Sequence, residues 1–243
     1  MAKYKTLHLW MLVPMAFMQF GIFRDYWGDF RENAWSVHVH YWTGTVWYLY
    51  LIIQPYYATH GQLSKHRTNG IIGMFLAGAV CITALSMMYR DIANAEASAT
   101  MRERFGPFEP WFFMGVAAIE IPMMLAFGFA VIQSIIHRKN LENHAWWLIS
   151  TVFMIMMPAL GRGIQNVHVG MQSAQWPNVE IMPSLYFANG IIIALLLAGA
   201  WKYGKLKHTA TWLAVAVNIL NLFLEPLGKS EIVQTVLKTI IKG

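Results

Sequence analysis

Cysteine is all but missing from this chain. Cys81 stands alone inside an apolar run, which excludes an intramolecular disulfide and any thiolate-rich zinc or iron–sulfur site. Charge is scarce as well: only 12% of the 243 residues are Asp, Glu, Lys or Arg, whereas a soluble domain holds about a quarter. There is no HExxH pair, no P-loop, no Rossmann glycine fingerprint, no internal repeat and no low-complexity segment. What fills the chain instead is apolar residue, 57% of the total, with 16 Met and 11 Trp, the mixture of lipid-facing and interfacial surface. At about 20 apolar residues per crossing plus short loops, the length allows about six to eight membrane helices and no separate soluble domain. The net charge of +6 does not point to nucleic acid, because the basic residues are scattered through short polar segments.

The hydropathy pattern predicts an all-α polytopic bundle of about seven transmembrane helices. The spans fall near residues 8–23, 35–57, 69–89, 111–136, 145–160, 184–203 and 209–224. The first has only Lys3 and Lys5 before it and no small-residue cleavage pattern after it, so it is expected to be a retained helix. A polar stretch, 90–109, separates the third and fourth spans. Pro158 should kink the fifth, which can run on past Arg162 toward His168. Residues 1–229 are expected to form a single bundle. In the tail, 230–243, Ile232, Val233, Val236, Leu237, Ile240 and Ile241 make an apolar stripe suited to the membrane interface.

Loop charge predicts the orientation. With the N-terminus inside, the inner segments hold Lys3, Lys5, Lys65, Arg67, Arg138, Lys139, Lys202, Lys205 and Lys207 against the single acid Glu142. The outer segments mix their arginines with eight acids. The basic excess favours N-in and C-out in a bacterial cytoplasmic membrane.

Nine histidines fall at two levels. His8, His60, His66, His137, His144 and His208 lie near the inner face. His66, His137 and His208 stand beside Lys or Arg and read as head-group-facing residues. His60 and His144 are candidates to hold a cofactor, with Trp47 among the deeper aromatics able to line its pocket. At the outer level His38, His40 and His168 are candidate metal ligands. Residues two apart on a regular helix point about 200° away from one another, so His38 and His40 share one metal only if the helix start is unwound.

Glu120 lies about 15 Å into the fourth span at 1.5 Å per residue. An intramembrane acid costs a few kcal/mol and is retained when it faces a partner, water or a cofactor. Arg162 is its candidate partner, and the two are the candidate reactive groups. Three imidazoles and a carboxylate suit copper, zinc or non-haem iron, and imidazole alone serves haem b.

Two stretches carry a resemblance. His38-Val39-His40 through Gln54-Pro55, His60-Gly61 and His66-Arg67-x-x-Gly70 form the first; His144 and Pro158-Ala159-Leu160-Gly161-Arg162 form the second. Together they resemble an uncharacterised bacterial family of seven- to eight-helix membrane proteins with a histidine-headed second span. The resemblance covers about half the chain and implies the helical architecture, with no reaction attached. A slighter resemblance to b-type membrane cytochromes rests on histidines near both faces. His40 and His60 lie 20 residues apart, about 30 Å of helix, which sets two such haems far from one another.

Three functions fit. The first is a redox-active membrane protein that binds a metal or haem near the outer face. The second is a small proton-coupled transporter using Glu120 and Arg162. The third is an accessory subunit of a larger membrane complex. Its partners are the lipid bilayer, with other membrane subunits or further copies of itself.

Overall fold

The computed structural model describes residues 4–242, and among them the regular structure is entirely helical. Six helices are long and apolar enough to cross a membrane: α1 (Leu7–Gly28), α3 (Leu63–Ser98), α4 (Pro110–Ile136), α5 (Leu141–Met171), α6 (Met182–Tyr203) and α7 (Thr209–Lys229). Between α1 and α3 runs α2 (Trp35–Thr59), 25 residues without Asp, Glu, Lys or Arg, its hydropathy lowered by Trp, Tyr and His. A last helix, α8 (Glu231–Lys242), follows.

Connections gather at two ends. Residues 60–62, 137–140 and 204–208 share one end, where Lys205 pairs with Glu142 at 2.6 Å and the His66 and His144 rings lie 6.1 Å apart. This basic end carries Lys65, Arg67, Arg138, Lys139, Lys205 and Lys207 of the set behind the predicted orientation, and Lys3 of that set lies outside the described residues. The opposite end holds residues 29–34, 99–109 and 172–181, joined where Arg102 donates to Asn178 and Trp176 donates to the Glu103 carbonyl.

Two departures from the hydropathy reading shape the interior. First, α3 spans 36 residues, about 54 Å, and so begins before and ends beyond its apolar segment. The segment read as a polar connection therefore starts as helix, and Arg90 and Asp91 ride on it. Second, α5 is broken at Ile155 and Met156, with Pro158 in the first turn of its second half. In an unbroken helix the carbonyls of Val152 and Phe153 would accept from residues 156 and 157. Here the Tyr48 hydroxyl donates to Val152 O (2.8 Å), and Asn218 Nδ2 donates to Phe153 O (3.0 Å). Neighbouring spans thus satisfy the freed carbonyls. Tyr48→Phe is expected to cost about 1 kcal/mol and Asn218→Leu about 1–2 kcal/mol, read as lowered thermal transitions in detergent.

The second half of α5 lies against α1 through glycine. A Cβ on Gly21 would collide with the backbone at Ala159 and Leu160, and one on Gly163 with the backbone of Gly21. This contact brings Arg162 beside the end of α1.

The tail helix α8 turns back onto α3 and α4. Leu237 is 3% exposed in a small core with Met88, Ile92 and Met114, and Val233 and Ile241 pack beside it. Ile232, Val236 and Ile240 face outward. The stripe read as one interfacial face is divided between the bundle and the exterior.

At the basic end His208 caps α7, its Nδ1 accepting from Ala210 N at 3.1 Å. Burial first, then the nearby Lys205 and His137, hold this imidazole below its ordinary value. Protonation would occupy the accepting nitrogen. Because the folded-state value is depressed, the stabilisation is present above the usual histidine range and is lost as pH falls. Asn caps without titrating. His208→Asn should therefore flatten the acid-side decline in thermal stability, and melts at neutral and mildly acidic pH check it.

Candidate functional site

Seven helices line one polar chamber toward the end opposite the basic one, α6 through Leu185 and α7 through Asn221 and Leu224. The first five contribute mainly residues spaced three or four apart, the repeat that keeps side chains on one helical face. α1 supplies Ile22 and Asp25; α2 His40, Tyr41 and Gly44; α3 Ala84, Met87 and Asp91; α4 Val116, Glu120 and Met123; and α5 Pro158, Arg162 and Asn166. The space consists of two adjoining cavities of about 120 and 350 Å³, with Arg90, Asp91, Glu120 and Arg162 in the walls of both.

Arg162 is held firmly. Its Nη1 donates to the Tyr41 hydroxyl at 2.6 Å, and its Nε lies 3.6 Å from Asp25 Oδ2. Asp25 in turn accepts from Asn166 Nδ2 at 2.6 Å. The Arg162 side chain nevertheless stays 37% accessible through the cavity, so its charge faces the chamber.

The acids opposite are differently placed. Glu120 is 7% exposed, yet its carboxylate makes no hydrogen bond and no ion pair within 4 Å among the described residues. Asp91 is half-buried and equally unpaired. Two further buried polar atoms on the chamber walls lack partners, His40 Nδ1 and Gln165 Nε2. The three acids Asp25, Asp91 and Glu120 outnumber the two guanidinium groups, Arg90 and Arg162, by one. When all five are ionised, one proton or one small cation brings the group to neutrality.

The residues singled out from sequence divide. Glu120, Arg162 and His40 share this chamber, but Glu120 and Arg162 form no direct ion pair. His38 lies elsewhere: α2 is regular helix from Trp35, so the 200° separation holds, and His38 Nδ1 meets the Tyr26 hydroxyl at 2.9 Å. His168 is carried on the continued α5 as anticipated, but its Nε2 pairs with the Glu180 carbonyl at 2.9 Å. The trio proposed as metal ligands is thus not assembled. Among the described residues no group of three or more His, Cys, Asp or Glu is placed to hold a metal ion.

At the basic end, His60 stacks on Tyr56 (4.3 Å between ring centres) and is exposed at the end of α2. His144 has its Nδ1 against Ser134, at 2.9 Å from Oγ and 3.0 Å from the carbonyl. Trp47 is 1% exposed and donates to Thr151 Oγ1 at 3.1 Å. His66, read as a head-group-facing residue, instead lines an internal cavity with His144.

Asp91, Tyr41 and Asp25 were not among the sequence candidates. Asp91 did leave a signal: it continues the apolar repeat Val80, Ala84 and Met87 at the next turn of α3.

No protein-family model matches the chain, and no match to it is found among curated proteins or solved structures.

Proposed function

We propose that the chain is a small proton-coupled carrier of the bacterial cytoplasmic membrane. Seven helices cross with the N-terminus inside, α2 being the crossing that hydropathy understates. The orientation rests on the basic end, where Lys65, Arg67, Arg138 and Lys139 gather. The chamber then opens toward the outer leaflet.

One observation carries the reading: Asp91 and Glu120 present unpaired carboxylates to a cavity in which one of the two fixed cations, Arg162, is already bound by Tyr41 and Asp25. Acids within spans face a partner, water or a permeant species, since burying an ionised carboxylate in hydrocarbon costs several kcal/mol. Unequal charge in one chamber makes proton uptake there neutralising. A solute entering beside Glu120 and Arg162 would compete with or require that proton, and this is how coupling arises. Met18, Met87, Met123 and Met124 supply adaptable apolar wall for its less polar part.

The test uses purified protein in liposomes with an internal pH dye and an imposed potential. With no solute present, wild-type protein should show an uncoupled proton leak through the chamber, and Glu120→Gln should reduce this flux at least tenfold while preserving the thermal transition. Equal flux in the two proteins, or a stoichiometric bound metal or haem b in the purified chain, would overturn the proposal.

A further inference from the structure

A second chamber lies at the basic end, separate from the carboxylates. Its main volume is about 680 Å³, bounded by Trp47 and Tyr50 of α2, Gly70 and Met74 of α3, Val131 of α4 and Leu148 of α5. A narrow apolar cleft adjoins it through the shared residues His66 and His144.

The polar groups on these walls are few, and two of them are unsatisfied. Gln54 is 3% exposed in the cleft, and both its amide nitrogen and its amide oxygen are buried without a hydrogen-bond partner. His66 Nδ1 is likewise buried and unpartnered. Leaving a buried amide unbonded costs about 1–3 kcal/mol for each group, so such atoms mark a place for a ligand. At the mouth stand Arg67 and Arg138. Neither forms an ion pair within 4 Å among the described residues, and Arg138 spends one Nη1 hydrogen bond on the Ile135 carbonyl. Gly70 leaves the wall open: nothing lies within 4 Å of where its Cβ would be.

Polarity is therefore graded along the chamber. Guanidinium groups come first, then an imidazole, with the Gln54 amide in the adjoining cleft, then the aromatic and aliphatic surface of Trp47, Tyr50 and Met74. We propose that this chamber binds an amphiphile with an anionic head, the head held by Arg67, Arg138, Gln54 and His66 and the apolar chain lying against Trp47. Two guanidinium groups on one cavity wall favour a carboxylate or phosphate over a zwitterionic or neutral head. The head comes from a free fatty acid or from an acidic phospholipid of the inner leaflet.

Brominated lipids quench tryptophan on contact, so the signal lost in Trp47→Phe isolates the chamber from the other tryptophans. The probes are dibromostearate, dibrominated phosphatidylglycerol and dibrominated phosphatidylcholine, titrated into the detergent-solubilised chain. Trp47-dependent quenching should appear with an anionic probe at concentrations about tenfold below those needed with phosphatidylcholine. A response to dibromostearate alone identifies a fatty acid, and one to phosphatidylglycerol identifies a phospholipid. The Arg67→Gln/Arg138→Gln double variant should raise the half-saturating concentration at least tenfold, and Gly70→Phe should abolish the response by filling the cavity. Gln54→Leu keeps the volume and removes the amide, so it should weaken binding several-fold even if Gly70→Phe does not fold. Quenching that is equal for all three probes, or unchanged by the arginine and Gln54 variants, would reduce the chamber to ordinary annular lipid contact and end the proposal.

Discussion

Arg162→Met should be the most damaging single substitution in the carboxylate chamber, lowering stability by about 2 kcal/mol and eliminating proton-coupled flux. Removing one partner from a buried charge cluster costs about 3–5 kcal/mol where the site is dry. Here the Arg162 side chain as a whole is 37% accessible and borders the cavity, which screens part of that penalty. The variant strands three acids around Arg90 and releases the Tyr41 hydroxyl and Asp25 from their shared partner. The cause is testable by a cycle. If uncompensated negative charge is what destabilises, adding Asp91→Asn and Glu120→Gln to Arg162→Met should recover most of the lost thermal transition, while flux stays absent. If the triple variant melts as low as Arg162→Met alone, the arginine acts through packing and its hydrogen bond to Tyr41, and the electrostatic account fails.

The helices themselves were legible in the sequence because their period and length are set by local physics. Apolar runs near 20 residues and Pro158 at the break are signals contained in one segment. Helix ends were harder to place. Charge at Arg90 and Asp91 reads as the end of a span, yet backbone hydrogen bonding carries α3 on to Ser98 because nothing there breaks it. Hydropathy marks where lipid ends, and the helix need not stop at that level. The missed Asp91 belongs to this class of error.

The site was legible only in part, since convergence depends on rotation about each helix axis. Glu120 stood out because one acid in an apolar run needs a reason, and Arg162 because it closes the run that opens at Pro158. The histidines carried no such constraint. His38 and His40 had to face apart on a regular helix, and so they do, which left a metal centre dependent on an unwinding that did not occur. His66 illustrates the converse: flanking Lys65 and Arg67 suggested an exposed segment, but its side chain lies on the inward face of α3, opposite His144. Tyr41 could not be found from sequence at all, because its partner Arg162 is 121 residues away.

Trp47 and Tyr48 separate the two chambers, and that partition makes a last prediction. Trp47 lines the basic-end cavity and Tyr48 the carboxylate cavity, and each donates a hydrogen bond to α5, at Thr151 and Val152. Phe127 of α4, fully buried, meets Trp47 in an edge-to-face arrangement with ring centres 5.2 Å apart. Trp47→Ala should cost about 3–5 kcal/mol through lost packing and the void it leaves. In the protein that remains folded the void connects the chambers, so protons can pass without visiting Glu120. Flux should then become insensitive to Glu120→Gln: the Trp47→Ala/Glu120→Gln double variant leaks where Glu120→Gln alone is silent. Trp47→Phe keeps most of the volume and should stay tight, which separates a filled wall from the lost indole hydrogen bond. A double variant as silent as Glu120→Gln would mean that the barrier lies elsewhere, in the packed segment between Phe153 and Met156 where α5 breaks.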